Sequence, residues 1–361
     1  MTKKKVLLVL NRLCDYRVET YNQINEVFDF TVGYNVADES IKHCEFRKIK
    51  FSTKKVGPFH IFGRKFWKEC KKYDAVITSF DIHNFEFAFI PFIKRKYKLL
   101  TWSIGLRCSY TRPYDVNRSH QFLDKIAYRI LQAADANIFY MDKAREFWKS
   151  TALDQSKIFI APNTTGVVEK TAIASEKSSI LFVGTLYKTK GVDKLITAFH
   201  EAISSIDNLS SPFTLDIVGK GEELNNLKSM VEKLGLDDKV IFHGAIYDEN
   251  ELSALFSKAL VCVSPTQAGL TVPKSMGYGV PVVTKRNAIT GGEIYHIAEN
   301  ETGIIYDRDE ELAGLIKDCM ISAQKYIRMG ANARSYYKNN ATIAHQANGV
   351  IKALTYSFST K

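Results

Sequence analysis

No apolar run in this chain reaches the roughly 18–20 residues that a bilayer-spanning helix needs. The basic start, Met1 to Lys5, leads only into Val6 to Leu10, which is too short for a signal peptide and is read as a first β-strand. Cysteine is sparse. Cys14, Cys44, Cys70, Cys108, Cys262 and Cys319 stand far apart with no Cys-x-x-Cys pair. A disulfide framework or zinc site is therefore not expected, and a reducing cytoplasm is the default location. The eight histidines show no ligand spacing. No nucleic-acid recognition motif accompanies the basic residues, so DNA and RNA are not expected partners.

What is present describes a globular chain. With 361 residues, 45% hydrophobic and 25% charged, it is neither disordered nor small, and its length fits two domains better than one core. Charge is unevenly placed. Residues 1–165 hold 29 Lys and Arg against 17 Asp and Glu, whereas the remainder holds 21 against 22. The excess concentrates in Arg64 to Lys72 and in Lys94-Arg95-Lys96-Tyr97-Lys98. In the first run Phe62, Phe66, Trp67, Cys70 and Tyr73 fall near one helical face among lysines. Two readings stand: a helix lying on an anionic membrane, or a solvated helix whose aromatics face a core.

Strand and helix patterns alternate along the whole chain. In the first half strands are predicted at 6–10, 28–33, 46–51, 74–79, 99–103, 136–140 and 158–161, with helices over 16–28, 62–72, 118–134 and 142–150. Residues 163–179 lose periodicity and are rich in Thr, Ser and Lys, which marks a linker. The alternation then restarts with strands at 180–184, 214–218 and 240–242. The implied domains are 1–165, a linker at 166–178, a second domain at 179–340, and a last helix over 341–361 long enough to cross back onto the first. Such alternation predicts doubly wound parallel sheets, which take ligands at the carboxyl ends of their strands.

The stretch 260–284, LVCVSPTQAGLTVPKSMGYGVPVVT, is a strand, a glycine-containing loop, a short helix and a second strand. A helix N-terminus offers free N–H groups and a positive dipole end, so the loop at Gly269 suits a phosphate; an ordinary βα turn would read the same. Asp307-Arg308-Asp309 follows one predicted strand and precedes a helix, where N-capping is expected in place of metal binding. Tyr16-Arg17 follows the first strand, where Arg17 is read either as a ligand for an acceptor phosphate or as a surface arginine.

Four motifs in the second half, in order, resemble the retaining, GT-B, family 4-like glycosyltransferases. They are Phe182-Val183-Gly184-Thr185-Leu186 with Lys190-Gly191, Leu215 to Gly221, Val240 to Gly244, and Val263 to Val283. The first half is similar only loosely, through its fold pattern, Trp102 to Gly105 and Asp135 to Tyr140. The resemblance implies a GT-B fold, two doubly wound Rossmann-like domains facing a central cleft. It implies an acceptor in the first domain, near Arg17 and Trp102, and a nucleotide-sugar in the second. Donor contacts are expected from Gly184, Thr185, Lys190, Gly219, His243, Gly244, Gly269, Leu270, Thr271, Lys274 and Glu293. Lys190 and Thr266 occupy the catalytic positions, and no cofactor or metal is required because cationic side chains and the helix dipole neutralise the leaving diphosphate.

The chain departs from that pattern where Thr185 replaces an arginine, and where Thr266 and Lys274 replace two glutamates. A lysine cannot accept ribose hydroxyl protons, but it could reach a phosphate or a base carbonyl. The expected activity is hexosyl transfer to a glycan or polyprenyl-linked acceptor for lipopolysaccharide, capsule or another cell-surface polysaccharide, on the inner face of the cell membrane. The alternative is a degenerate protein that binds nucleotide or glycan as a partner subunit.

Overall fold

Residues 2–41, 43–79, 81, 83–105, 121–168, 177–207 and 213–360 are described by a computed structural model. The start of the predicted helix at 118–120 and the linker core at 169–176 lie outside them. The described residues divide into two compact units. The first is formed by the chain through Asn163 together with its last segment from Thr342, and the second by Thr164–Ala341.

In the first unit the apolar runs become parallel strands. They are β1 (Lys5–Leu13), β2 (Asp29–Ala37), β3 (Arg47–Lys50), then a small hairpin β4 (Lys54–Val56) and β5 (Phe59–Ile61), and β6 (Ala75–Thr78), β7 (Lys98–Ser103), β8 (Ala136–Phe139) and β9 (Ile158–Ile160). Seven of them pair in the order β3-β2-β1-β6-β7-β8-β9, all parallel. Strand side chains alternate between faces, so Val6 and Leu8 enter one core while Leu7 and Val9 enter another. Between the strands run α1 (Val18–Val27), α2 (Arg64–Cys70), α3 (Phe85–Phe89), α4 (Gln121–Ala133) and α5 (Asp142–Lys149). Phe66 and Cys70 of α2 are fully buried with Phe62, and Trp67 packs against the same core. This favours the second reading of that helix: Phe66 and the partly buried Trp67 pack on the core, while Arg64, Lys65 and Lys68 meet solvent.

The second unit repeats the plan with β10 (Ser179–Val183), β11 (Thr214–Val218), β12 (Val240–Gly244), β13 (Ala259–Ser264), β14 (Val282–Lys285) and β15 (Gly303–Tyr306), in the order β12-β11-β10-β13-β14-β15. Its helices are α6 (Val192–Ser204), α7 (Leu224–Lys233), α8 (Glu249–Lys258), α9 (Thr271–Gly277), α10 (Glu311–Ile321) and α11 (Ala323–Asn340). Ile180 and Phe182 pack with α6 and α10 on one face, while Leu181 and Cys262 pack with α8 on the other. The final helix, α12 (Ile343–Ser359), packs on the first unit, where Gly349 abuts Ile160 so closely that a Cβ would lie 2.0 Å from its carbonyl oxygen.

Both sheets are therefore doubly wound, the strand order reversing beside β1 in one and β10 in the other. Crevices outside the carboxyl ends of strands form at such reversals. No helix among the described residues is long and apolar enough to cross a membrane.

Candidate functional site

In the second unit the crevice is assembled where β10 and β13 end. The loop after β10 lies along the loop after β11: Gly184 N–H donates to Val218 O at 3.0 Å, Leu186 N–H to Lys220 O at 2.9 Å and Glu223 N–H to Leu186 O at 3.0 Å. The two backbones are close enough that only glycine fits at Gly219, which has φ +152° and whose Cβ would lie 1.8 Å from Gly184 O. Gly219 N–H in turn donates to Gly244 O at 2.7 Å, linking the end of β12 to the same set.

A 3₁₀ turn, Lys188–Lys190, follows, and Gly191 joins it to α6 in the left-handed region at φ +66°. A Cβ on Gly191 would meet Thr266 Cγ2 at 2.8 Å, so the turn is seated directly on the loop after β13. Thr266 Oγ1 donates to Thr189 O at 2.5 Å, and Thr271 Oγ1 to Val183 O at 3.2 Å. The loop is itself braced, with Ser264 Oγ donating to Gln267 O, Ile289 N–H to Thr266 O and Ala268 N–H to Ile289 O. Thr266 thus holds the lysine turn against the crevice, a role that follows from its hydroxyl and that a glutamate could not fill in the same way.

Lys190 is the cation that remains available there. It is half-buried, its Nζ stands 3.9 Å from where a Cβ on Gly184 would be, and no hydrogen bond or ion pair engages it among the described residues. Burial without a carboxylate lowers its pKa from the ordinary lysine value. Of the nearby cations Lys188 is paired with Asp193, Lys194 and Lys285 are both paired with Asp309, and the exposed Lys220 lies over the Tyr247 ring at 5.8 Å. Across the crevice, Leu270 and Thr271 begin α9 with N–H groups that make no backbone hydrogen bond among the described residues. A Cβ on Gly269 would touch nothing within 4 Å. A half-buried ammonium beside Gly184, and N–H groups at the start of α9 without a described bond, are features that can receive an anion.

Of the residues singled out in the sequence, Gly184, Lys190, Gly219, Gly244, Thr266 and Thr271 converge on this crevice, with Thr185 exposed beside them and Gly269 and Leu270 on its far side. Three others are placed differently. Lys274 is only 14% exposed, and its ammonium is held by Glu249, which also accepts from Tyr278 Oη at 3.0 Å. Glu293 has no exposed surface and accepts from Thr290 Oγ1 at 3.2 Å, so its carboxylate is sealed from a donor sugar in this conformation. His243 Nε2 lies 2.7 Å from Asp216 Oδ1, a carboxylate buried in β11.

Asp307 and Asp309 do not cap α10, contrary to the capping expectation. Asp307 is bound by Arg286, Asp309 by the two lysines, and Arg308 pairs with Glu311. Among the described residues no three His, Cys, Asp or Glu side chains cluster as a metal would require. Gly191, named in the sequence only within the Lys190-Gly191 motif, proves to be the left-handed joint on which the lysine turn sits. One contributor, Glu249, was not singled out, because its partner Lys274 is 25 residues away.

The first unit has its own pocket of about 140 Å³ at the reversal of its strand order, lined by Leu10, Arg12, Cys14, Tyr16, Ser79 and Trp102, among others. Arg17 is buried, in contrast to the surface reading. Its guanidinium donates to Asn163 Oδ1 at 2.5 Å and Tyr140 Oη at 3.2 Å, and lies over the rings of Tyr16, Trp102 and Tyr140 at 5.2 to 5.4 Å. Trp102 is 6% exposed and its Nε1 has no hydrogen-bond partner among the described residues. Burial raises the pKa of the Cys14 thiol, so it stands there as a neutral group.

Comparison with known proteins bears on the family and the fold. Residues 165–336 match the family of glycosyl transferases group 1. An uncharacterized glycosyltransferase of Haemophilus influenzae is 24% identical over 306 residues, covering 82% of this chain and 81% of its own. The lipopolysaccharide glucosyltransferase WaaG of Escherichia coli is 26% identical, but the match spans only 48% of this chain and 46% of its own length. Among solved structures, Anabaena HepE in complex with UDP superimposes with a TM-score of 0.70 at 16% identity, covering 97% of this chain and 99% of the other. The fold is GT-B.

Proposed function

Residues 165–336 belong to the glycosyl transferases group 1, and from that premise we propose that this chain transfers a hexosyl group from a nucleotide-diphosphate sugar to a glycan or lipid-linked glycan acceptor in the synthesis of a cell-surface polysaccharide. The observation that carries the proposal is Lys190, a half-buried ammonium with no carboxylate partner among the described residues, facing Gly184 at the carboxyl end of β10. Transfer breaks the bond between the anomeric carbon and the diphosphate oxygen, and the electron pair leaves with the diphosphate. Charge thus develops on that oxygen in the transition state, and a fixed cation placed there stabilises the transition state more than the ground state. The free N–H groups of Leu270 and Thr271 add dipoles directed at the same charge. Together they supply the neutralisation for which other transferases use a metal, so transfer is proposed to run without one. Retention of configuration is carried over from the family resemblance and is part of the proposal.

The acceptor is proposed to enter the pocket of the first unit, where Trp102 offers an unpartnered N–H and the caged Arg17 a positive field. Kinship with a lipopolysaccharide glucosyltransferase supports a surface-glycan acceptor. A panel of UDP-, GDP-, ADP- and CMP-sugars tested by thermal shift identifies the base: a ligand at 100 times its Kd adds about 2.7 kcal/mol. One nucleotide class is expected to raise the melting temperature by several degrees. No shift with any of them counts against the donor assignment.

The lowered pKa of Lys190 gives a pH prediction. In the free protein its cationic form carries an unrelieved burial cost at pH values below its folded pKa. That cost disappears as pH rises through the folded value towards the ordinary lysine range, so the free protein gains stability in that window. A bound diphosphate reverses the balance by favouring the ammonium. Donor affinity is therefore expected to fall as pH rises through the same window, with proton uptake on binding there. Calorimetry in two buffers of different ionisation enthalpy measures that uptake, and a pH-independent affinity would count against Lys190 as the diphosphate ligand.

A further inference from the structure

Residues Arg47–Lys68 contain eight Lys and Arg and no Asp or Glu, and residues 87–98 contain four and none. The structure brings parts of these two stretches together through a buried carboxylate. Glu86 of α3 is 1% exposed and accepts from Phe62 N–H at 3.0 Å and Gly63 N–H at 2.7 Å, directly after β5. His60 of β5 also pairs with Asn84, and its N–H donates to His83 O at 2.7 Å. The β4–β5 hairpin and α3 are therefore one surface feature.

On this feature the inward side chains, Phe62 and Phe87, stack at 5.2 Å in the core. The outward ones are large and apolar. Phe59 is 42% exposed, Phe89 50% and Phe92 58%, with Val56, Phe85 and Ile93 exposed as well. Phe85 and Phe89 lie ring to ring at 4.5 Å, and the other exposed apolar residues stand on the hairpin joined to α3 and on the segment that follows it. Lys54 and Lys55 on the hairpin and Lys94 and Lys96 after Phe92 are all exposed. A clustered aromatic surface of this kind marks an interaction site. Aromatic side chains bordered by lysines, with no acidic residue in either stretch, complement the apolar boundary and negative headgroups of an anionic bilayer.

We propose that the ridge formed by the β4–β5 hairpin, α3 and residues 90–96 docks the chain on anionic lipid bilayers. This deepens the reading of a lipid-linked acceptor, since it would hold the first unit at the surface where such an acceptor resides. It also moves the membrane contact away from α2, whose Phe66 is buried and whose Trp67 packs on the core.

The test uses the full chain and co-sedimentation with vesicles of equal phosphatidylglycerol and phosphatidylcholine, compared with phosphatidylcholine alone, without donor or acceptor. Binding is thus measured independently of transfer. The wild type is expected to bind the anionic vesicles and to lose that binding as salt rises. The variant Phe85→Ser/Phe89→Ser/Phe92→Ser is expected to bind about ten-fold more weakly or worse, as is Lys54→Glu/Lys55→Glu/Lys94→Glu/Lys96→Glu. Both sets of side chains are exposed, so the melting temperature should match the wild type. Charge reversal on α2, Lys68→Glu/Lys71→Glu, should weaken binding less than either. Wild-type binding by the Phe and Lys variants, equal binding to both vesicle types, or a larger loss from the α2 variant would overturn the proposal. Binding to neither vesicle would also overturn it and leave the ridge to a protein partner.

Discussion

Lys190→Ala is expected to lower the turnover of the donor sugar by about 10²–10³, the usual consequence of removing one preorganised group from a developing negative charge. Its stability should change little or rise slightly. The wild-type ammonium has no hydrogen-bond or ion-pair partner among the described residues, so truncation removes a desolvation cost and breaks none of the described bonds. This pairing of a large kinetic loss with an unchanged melting temperature separates Lys190 from its neighbours. Lys188→Ala, by comparison, breaks an exposed pair with Asp193 and should have little effect on either quantity. Lys190→Arg should recover part of the activity, because charge is restored on a longer and differently shaped group. A turnover unchanged in Lys190→Ala would remove the lysine from the chemistry.

Gly269→Val is expected to weaken donor binding by about 10- to 100-fold, corresponding to about 1–3 kcal/mol of crowding against a bound phosphate. The free protein has room for the side chain, since no atom lies within 4 Å of the Cβ position and the backbone there is not left-handed. The variant should therefore fold and melt like the wild type. Gly219→Val supplies the contrast. Its Cβ collides with Gly184 O at 1.8 Å and it sits at φ +152°, so folding of the second unit should suffer before binding can be measured. Wild-type donor affinity in Gly269→Val would reduce the loop to an ordinary turn.

The strands were legible because each is a short apolar run that a parallel sheet buries on both faces. The edge strand β3 (Arg47–Lys50) is the exception, mostly exposed and basic, with Ile49 as its one apolar residue. The β4–β5 hairpin was not legible. Its two three-residue strands are mostly exposed, carry two lysines in a row and bury no continuous face, so no periodicity reports them. On α2 the spacing of Phe62, Phe66 and Cys70 located the apolar stripe correctly but could not say whether core or lipid lay opposite it. The lysine turn was readable through Lys190-Gly191. What could not be read was the state of each charge, because that depends on partners distant in sequence. Lys274 finds Glu249, Asp309 finds Lys194 and Lys285, and Arg17 finds Asn163. Lys190 finds none among the described residues, and the folded chain is needed to show it.

The most direct test of that distinction is a structure of the chain determined with a nucleoside diphosphate bound. The diphosphate is predicted to lie at the carboxyl ends of β10 and β13. An oxygen should stand within hydrogen-bond distance of Lys190 Nζ, and others should face the N–H groups of Leu270 and Thr271. A nucleotide bound elsewhere, or one whose diphosphate turns away from Lys190, would contradict the account.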